Sequence, residues 1–154
     1  MCKEELKLRD FNASDMEDLC NWRNHPLVRE NSFNTNLLSW DEHQKWFERK
    51  IQSLDTTIYI GYYEDCKIGM IRFENGYDGT KVNVMLNPSF IGQGLGSKLI
   101  KFGVKKFMDD HVTSKAIIAE IKENNVASIK AFQKAGFKMS HLTYIFDSKG
   151  LSCE

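Results

Sequence analysis

Three glycines at alternate positions, Gly92, Gly94 and Gly96, stand at the start of a stretch with helical hydrophobic spacing. The first N–H groups of a helix have no partner within the helix and carry partial positive charge. Glycines let the backbone turn there and let a ligand approach without side chains in the way. The pattern therefore favours binding of a phosphate or pyrophosphate, although a plain turn between a strand and a helix is also compatible with it.

Two nucleotide-binding motifs fit this stretch poorly. A Walker loop needs Gly-Lys-Ser/Thr after four spacer residues, whereas the chain reads "GLGSK". A dinucleotide fingerprint needs G-x-G-x-x-G in the first strand–helix unit of a doubly wound sheet. The chain has "GQGLG", and that stretch follows a predicted antiparallel meander. Neither of these nucleotide sites is expected.

A polar segment with three tryptophans covers residues 21–51 and reads "NWRNHPLVRENSFNTNLLSWDEHQKWFERKI". Its candidate binding residues are Arg23, Arg29 and His43. Arginine suits a phosphate because its planar guanidinium presents a fork of N–H donors. Tryptophans at helical spacing are usually core residues, and a surface position for Arg23 and His43 is equally compatible with the pattern.

The hydrophobic pattern predicts one mixed α/β domain over residues 1–154, built on a single sheet. Capping boxes at Ser14–Glu17 and Ser39–Glu42 predict two helix starts, and Pro26 predicts the end of the first of these helices. Strands are predicted at 6–11, 57–63, 68–75, 81–86, 116–121 and 137–146. Helices are predicted from both capping boxes, at 26–30, at 95–108 and at 125–135.

Composition narrows the possible partners. The chain has 21 basic and 21 acidic side chains, which gives no argument for nucleic acid or an anionic membrane as a partner. The first ten residues, "MCKEELKLRD", are rich in charge from Lys3 onward and lack the apolar core of a signal peptide. No stretch approaches the roughly 18 apolar residues of a spanning helix, so a cytoplasmic location is expected. The cysteines at 2, 20, 66 and 153 and the four histidines are scattered, which predicts free thiols and no metal site.

The glycine stretch and the element order resemble the GCN5-related N-acetyltransferase family, whose signature is Q/R-x-x-G-x-G/A at a strand-to-helix turn. The matching window is "IGQGLG": Gly94 and Gly96 match the family glycines, and Ile91 stands where the family usually has Gln or Arg. A second stretch, "ENNVASIKAFQKAGF", resembles the next family motif, an asparagine followed by a helix that ends in "GF". The two motifs and the element order cover most of the chain.

The resemblance implies an acyl-CoA N-acyltransferase fold: a mostly antiparallel mixed sheet with splayed parallel central strands, flanked by helices. It implies acetyl-CoA as co-substrate, with the pyrophosphate on the glycine turn and the pantetheine along the preceding strand. The implied cofactor-binding residues are Val84, Met85, Leu86, Gly92, Gln93, Gly94, Leu95, Gly96, Ser97, Asn125, Ser128 and Lys130.

The resemblance further implies direct attack of an amine on the acetyl thioester, which needs oriented reactants and removal of a proton. Glu74 with a bound water is the preferred candidate base, and Asn83 is a candidate to hold that water or the substrate. His43 is a third candidate for the base. Phe132 stands where the family often has a tyrosine acid, and it is read here as a core residue. Tyr144, His141 or water remain as candidates to protonate the leaving thiolate.

"WRNHP" followed by "SWDEHQKWF" resembles one branch of the family, which acetylates the 4-amino group of UDP-linked amino-dideoxy sugars on the route to pseudaminic acid. This resemblance implies Arg23 and His43 in a nucleotide-sugar site. A looser similarity to ribosomal-protein N-terminal acetyltransferases leaves a protein α-amine or a small amine as an alternative. Phe132 leaves a non-catalytic CoA-binding module as a third hypothesis. A homodimer is a further expectation if the tryptophans offer a partner surface.

Overall fold

The computed structural model describes residues 5–113 and 115–145. Five strands form one sheet in chain order: β1 (Lys7–Asp10), β2 (Thr56–Tyr63), β3 (Cys66–Asn75), β4 (Thr80–Leu86) and β5 (Ile117–Ile118). Strands β1 to β4 pair antiparallel, and β4 pairs with β5 in parallel. The predicted mixed, mostly antiparallel sheet is confirmed.

Helices cover both faces of the sheet, and each face has its own hydrophobic cluster. They are α1 (Met16–Asn24), α2 (Pro26–Arg29), α3 (Trp40–Gln52), α4 (Leu95–Asp110) and α5 (Val126–Lys134). Leu19 and Trp22 of α1 and Phe47 of α3 pack with Met70 and Met85 on one face. On the other face α4 and α5 supply Leu95, Leu99, Ile100, Phe107 and Phe132, which pack on the sheet residues Ile71 and Phe73. The sheet is therefore buried on both sides.

Helix α3 begins as predicted and α1 does not. The side chain of Ser39 accepts from the N–H of Glu42, whose carboxylate accepts from the N–H of Ser39 at 3.0 Å. The predicted box at Ser14–Glu17 is wrong, because a short 3-10 turn precedes α1 and moves the cap to Asn12 and Asp15. Asn12 offers an acceptor like that of serine, so the pattern fitted two positions. Helix α1 ends at Asn24, just before Pro26, as predicted.

The parallel strands separate soon after they meet. Thr80 pairs with Ile117 and Lys81 with Ile118, and β4 then continues to Leu86 without a described strand on that side. The strand predicted at 116–121 is accordingly limited to two residues, because the chain leaves β4 after Ile118. The predicted splay between the parallel strands is confirmed, and it exposes the edge of β4.

The strand predicted at 137–146 is absent from its described part, residues 137–145. Its alternating apolar and polar residues fit a strand, but β5 is too short to provide a ladder for it. Met139, Leu142, Tyr144 and Ile145 are exposed. Position 146, like Cys2 and Cys153, lies outside the described residues. Cys20 is a buried free thiol and Cys66 an exposed one.

Candidate active site

A cavity of about 850 Å³ extends to both faces of the sheet at the place where β4 and β5 separate. We call the part formed by the turn before α4, by α4 and by α5 the glycine half. The part formed by α1, α3 and the facing side of β3 and β4 is the arginine half. The candidate residues that line the cavity are Arg23, His43, Asn83, Val84, Met85, Leu86, Gly92, Gly94, Gly96, Ser97, Asn125, Ser128 and Lys130.

In the glycine half the backbone leaves room for a ligand at the start of α4. Gly92 and Gly94 have φ angles of +84° and +74°, which residues other than glycine rarely adopt. Apart from the glycine and its chain neighbours, no described residue has an atom within 4 Å of the place where a side-chain Cβ would stand at either residue. Gly94 is the N-cap of α4 and provides no side chain to cap the first N–H groups. These features suit a phosphate at the helix N-terminus.

The edge of β4 continues the glycine half toward the centre of the sheet. From Val82 onward, β4 has no strand partner on the β5 side among the described residues. Val84 and Leu86 pack toward α4, whereas Met85 is buried on the opposite face. A strand edge offers N–H and C=O groups to an extended ligand that contains amides. The exposed edge of β4 therefore suits a ligand that contains an extended chain with amide groups.

Asn125 joins a structural role to its place on the cavity wall. Its side-chain oxygen accepts from the N–H of Ser128 at 3.2 Å and so caps α5. Phe132, one turn later, is buried and packs edge-on against Phe137 with ring centres 5.1 Å apart. This packing supports the interpretation of Phe132 as a core residue, although its side chain also lines the cavity.

The arginine half contains guanidinium groups with unused donors. Arg23 donates from Nη2 to the backbone oxygen of Asn34, but its Nη1 is buried and has no hydrogen-bond partner among the described residues. Nε of Arg29 is buried and unpartnered in the same part of the chain. Burial and the nearby charge of Arg29 lower the pKa of Arg23. A buried N–H without a partner costs about 1–3 kcal/mol, so Nη1 of Arg23, a residue of the cavity wall, is suited to receive an anion.

His43 ties α3 to α1 from inside the cavity wall. The ring is buried, and its Nε2 lies 2.8 Å from the backbone oxygen of Met16. Because a carbonyl can only accept, Nε2 carries the proton and Nδ1 is the free acceptor. Burial lowers the pKa of His43, and the ring stacks on Trp46 at 5.7 Å. The side chain is therefore a neutral, fixed part of the wall.

Glu74 lies beside the cavity wall in an ion pair. Its carboxylate accepts from Lys50, and its Oε1 lies 3.5 Å from Nε of Arg72. Burial raises the pKa of Glu74, but the bond from Lys50 and the charge of Arg72 outweigh burial, and the pKa lies below its usual value. The carboxylate is thus a weak proton acceptor in this state. Asn83, in contrast, lines the cavity directly.

The remaining candidates lie away from the cavity wall. The Gln93 side chain donates to the backbone oxygen of Ser89 at 3.2 Å. Leu95 is buried in the core below α4, and Tyr144 is 89% exposed. Arg29 reaches the site only through its proximity to Arg23. The cavity therefore brings together most of the candidate cofactor residues, but none of the proposed acids.

Several residues of the wall were not among the predicted site residues, and two of them, Arg72 and Glu120, are charged residues in predicted strands. Arg72 is the charged residue within the otherwise apolar stretch "IGMIRF" of a central strand. Glu120 interrupts the apolar run "AIIAEI", and its carboxylate contacts Nζ of Lys81 at 2.7 Å. A charge within a predicted buried strand was the available signal in both cases, because such a charge is rare unless it has a partner or a function.

Residues 5–113 and 115–145 lack two further features. No group of three or more His, Cys, Asp or Glu side chains there is placed to hold a metal ion. None of the described helices is both long and apolar enough to cross a membrane.

Two curated relatives are similar to this chain at moderate identity. An uncharacterized protein of Methanocaldococcus jannaschii is 26% identical over 138 residues, which is 87% of this chain. The uncharacterized N-acetyltransferase YfmK of Bacillus subtilis is 27% identical over 97 residues, or 62% of this chain. The chain spans only 28% and 63% of the lengths of these two relatives.

Solved structures with the same fold include enzymes with CoA bound. A domain from M. jannaschii has a TM-score of 0.78 at 23% identity, over 90% of this chain and 91% of that one. Spermidine N-acetyltransferase from Vibrio cholerae, in complex with CoA and spermine, has a TM-score of 0.79 at 16% identity over 94% and 88%. The aminoglycoside acetyltransferase AAC(6')-Ib with acetyl-CoA has a TM-score of 0.75 at 24% identity over 88% and 84%.

The family model of the acetyltransferase (GNAT) domain matches residues 5–138. This match confirms the predicted fold family and the prediction of an acetyltransferase domain, and it does not identify the acceptor. The predicted co-substrate, acetyl-CoA, is bound in a solved structure of the same fold. The chain belongs to the acetyltransferase (GNAT) domain family.

Proposed function

We propose that this domain transfers acetyl from acetyl-CoA to the 4-amino group of a UDP-linked amino-dideoxy sugar. The observation that carries this acceptor is Nη1 of Arg23, a buried donor of a residue on the cavity wall, with no hydrogen-bond partner among the described residues. A diphosphate can accept from this donor and offsets the repulsion between Arg23 and the neighbouring charge of Arg29, which an uncharged amine does not. The resemblance of "WRNHP" to the amino-sugar branch supports the same acceptor.

In this proposal the glycine half holds the co-substrate. The N–H groups from Gly92 to Ser97 contact the pyrophosphate, and the edge of β4 at 84–86 pairs with the pantetheine. Asn125, Ser128 and Lys130 lie on the opposite wall, within the same cavity. The thioester then reaches the split between β4 and β5, where the two halves meet.

The transfer forms one bond and breaks another. The neutral amine nitrogen attacks the thioester carbonyl, a C–N bond forms, the C–S bond breaks, and CoA leaves as a thiolate that takes up one proton. The ammonium proton must first pass to a base. Each carboxylate is paired with a lysine, Glu120 with Lys81 and Glu74 with Lys50. We assign this role to Glu120, directly or through a water, because Glu120 lines the cavity just beyond β5 and Glu74 does not.

Glu74 with a water remains the alternative base, and the two carboxylates can be separated by substitution. We expect Glu120→Gln to lower kcat by roughly 100-fold, the lower end of what a positioned proton acceptor contributes. Glu74→Gln is expected to act through the position of Arg72 and to have a smaller effect on kcat. A larger loss of kcat in Glu74→Gln than in Glu120→Gln would return the role of base to Glu74.

Polyamine and aminoglycoside acceptors are less compatible with the arginine half. Neighbours with this fold carry spermine or aminoglycosides, which are polycations. The cavity wall contains three arginines, Arg23, Arg49 and Arg72, and two acidic residues, Glu42 and Glu120. Glu42 is already used in the cap of α3. A polycation would meet like charges at short range, which raises its free energy of binding.

The test is thermal melting with acetyl-CoA, followed by acetyl-CoA together with UDP or with spermidine. A ligand that binds the native state raises the midpoint by mass action. We expect a rise with acetyl-CoA, a further rise with UDP, and loss of the UDP increment in Arg23→Gln. Lys45→Gln removes one charge from the exposed side of α3 and is the matched control.

Four outcomes would contradict parts of this proposal. A UDP increment that persists in Arg23→Gln would remove Arg23 from the anion site. An increment with spermidine and none with UDP would move the acceptor to the polyamines. A protein α-amine would be indicated if only peptides gave a further rise and were acetylated. Acetyl-CoA binding without turnover of any amine would indicate the third hypothesis, a non-catalytic CoA-binding module. A cytoplasmic location and a homodimer remain predictions from the sequence.

A further inference from the structure

Arg72 lies on the floor of the arginine half, next to the place where acetyl transfer would occur. It pairs with Asn83 across β3 and β4, and the next pair is Ile71 with Val84. Side chains of paired residues project from the same face of a sheet, with Cβ atoms about 5 Å apart. Both Arg72 and Asn83 line the cavity. The Arg72 side chain therefore lies beside that of Asn83, a residue of β4, and the other edge of β4 is exposed at this point.

Two contacts fix the orientation of this guanidinium. Its central carbon lies 5.5 Å from the ring centre of Trp46, a distance typical of a cation–π contact. Oε1 of Glu74 lies 3.5 Å from Nε, and Lys50 holds Glu74 from the other side. A guanidinium placed over an aromatic ring keeps the donors at its edge available. The position is therefore set before an acceptor binds.

The guanidinium of Arg72 has N–H donors that no hydrogen bond uses in the described part of the chain. Nε is buried and faces Glu74 at 3.5 Å, in an ion pair without hydrogen-bond geometry, so the donors left for the cavity are those at the Nη atoms. The side chain keeps 21% of its surface exposed, and this surface is part of the cavity wall. A fixed, charged group whose outer N–H donors have no hydrogen-bond partner among the described residues is suited to an oxygen atom of a ligand and repels an ammonium.

We propose that Arg72 is a specificity-determining residue, which donates to an oxygen on the carbon next to the reacting amine. This inference deepens the proposed function and rests on its amine acetylation, but it does not depend on the nucleotide. The substrate class is then a ring amine with a neighbouring hydroxyl or carbonyl oxygen, as in an amino sugar. Plain alkylamines and polyamines lack this oxygen at that carbon. Glu74 and Trp46 are positioning residues for Arg72.

The experiment compares two acceptors that differ by one oxygen, trans-2-aminocyclohexanol and cyclohexylamine, at saturating acetyl-CoA. The ratio of their kcat/KM values is measured for the wild-type protein, Arg72→Gln, Arg72→Lys and the control Lys45→Gln. The difference in amine basicity is the same for every variant, so it cancels when the ratios are compared. A hydrogen bond to a charged group contributes enough to predict a ratio roughly 10-fold or more higher in wild type than in Arg72→Gln.

The proposal also predicts how the variants differ from one another. Arg72→Lys keeps the charge and lacks Nε and the planar fork, so its ratio should stay close to that of Arg72→Gln. Glu74→Gln should lower the ratio by a smaller factor, because Trp46 still holds the guanidinium. The melting shift with acetyl-CoA reports that each variant is folded and binds the co-substrate. Lys45→Gln should match the wild-type ratio.

Equal ratios in the wild type and a folded Arg72→Gln would overturn the inference, and so would the absence of turnover of both amines by the wild-type protein. Should Arg72→Gln fail to fold, Arg72→Lys decides in the same way. The nucleotide part of the proposed function fails by a different result, the lack of a UDP increment in melting. A wild-type protein without that increment and with the oxygen-dependent ratio would keep Arg72 as proposed and lose the UDP assignment.

Discussion

The two halves of the cavity are formed by different kinds of chemical groups. The glycine half uses backbone groups from one continuous turn, with Gly92 and Gly94 held at positive φ. The arginine half uses side chains from separate elements, with Arg23 on α1 and Arg72 on β3. A site made of backbone is specified by a few neighbouring residues, whereas a site made of side chains depends on how distant elements pack. The glycine half is therefore readable as a motif, and the arginine half is not.

Gly69 packs closely against Met85 and Leu86 of β4, which line the cavity, and its replacement should have the largest effect. A Cβ at this position would lie 2.5 Å from the backbone oxygen of Met85 and 3.0 Å from Cα of Leu86. Backbone atoms cannot yield as a flexible side chain can, so β4 must move at Met85 and Leu86, which line the cavity. We expect Gly69→Val to reduce the free energy of unfolding by about 3 kcal/mol in urea denaturation. The melting shifts with acetyl-CoA and with UDP should disappear together.

Gly96→Ala is the matched control for Gly69→Val. A Cβ at Gly96 would stand 3.6 Å from Leu86 Cδ1 and 3.7 Å from Ala131 Cβ, which are ordinary contacts. Because alanine is also the better helix former, its stability should equal or exceed that of the wild type. A Gly69→Val protein that retains either ligand shift at full size would show that the halves do not depend on this contact.

Asp15 anchors α1, the helix that carries Arg23, and it links the arginine half to pH. Its buried carboxylate accepts from both Nη atoms of Arg9, at 2.8 and 2.7 Å, and contacts Nζ of Lys67 at 3.0 Å. Burial raises the pKa of Asp15, but these bonds and that from the N–H of Asn12 outweigh burial and lower the pKa from 3.8 to about 2. Stability from this lowered pKa is present above pH 4 and is lost as pH falls through 2.

The shift of the Asp15 pKa corresponds to about 2 kcal/mol. We expect the free energy of unfolding of Asp15→Asn at pH 7 to be lower than that of the wild type by about this amount. The difference between the two proteins should shrink as pH approaches 2. Urea denaturation at several pH values measures it. The dissociation constant of acetyl-CoA at pH 7 should not change, since Asp15 lies in the other half. A pH-independent difference between the two proteins would assign the effect to packing alone.

Much of the fold and of the glycine half could be predicted, because both depend on local patterns. The meander, the cap at Ser39 and the glycine turn each follow from residues within a few positions of one another. The role of Arg72 could not be predicted, because it depends on Trp46 arriving from α3 and on Glu74 being held by Lys50. The strand predicted at 137–146 failed for the same reason: alternation shows that a segment can be a strand, but a partner strand decides whether it becomes one.

Gly94 tests the glycine half alone. With φ at +74°, a side chain at Gly94 strains the backbone by about 1–2 kcal/mol even though the space around it is open. We expect Gly94→Ala to weaken acetyl-CoA binding roughly 10-fold in isothermal titration calorimetry, because relief of the strain tilts the N–H groups at the start of α4. The UDP increment at saturating acetyl-CoA should remain. Unchanged acetyl-CoA affinity would mean that this turn does not bind the pyrophosphate.

Asn125 gives the smallest effect and the finest distinction, because one side chain is assigned both a cap and a ligand contact. Asn125→Ala removes the acceptor for the Ser128 N–H, which should reduce the free energy of unfolding by about 1 kcal/mol. Asn125→Ser keeps a good N-cap but shortens the side chain on the cavity wall. If Asn125 also contacts the co-substrate, Asn125→Ser should retain wild-type stability and still bind acetyl-CoA several-fold more weakly. Equal affinity in Asn125→Ser and the wild type would reduce Asn125 to a cap, and the glycine half would then rest on backbone groups alone.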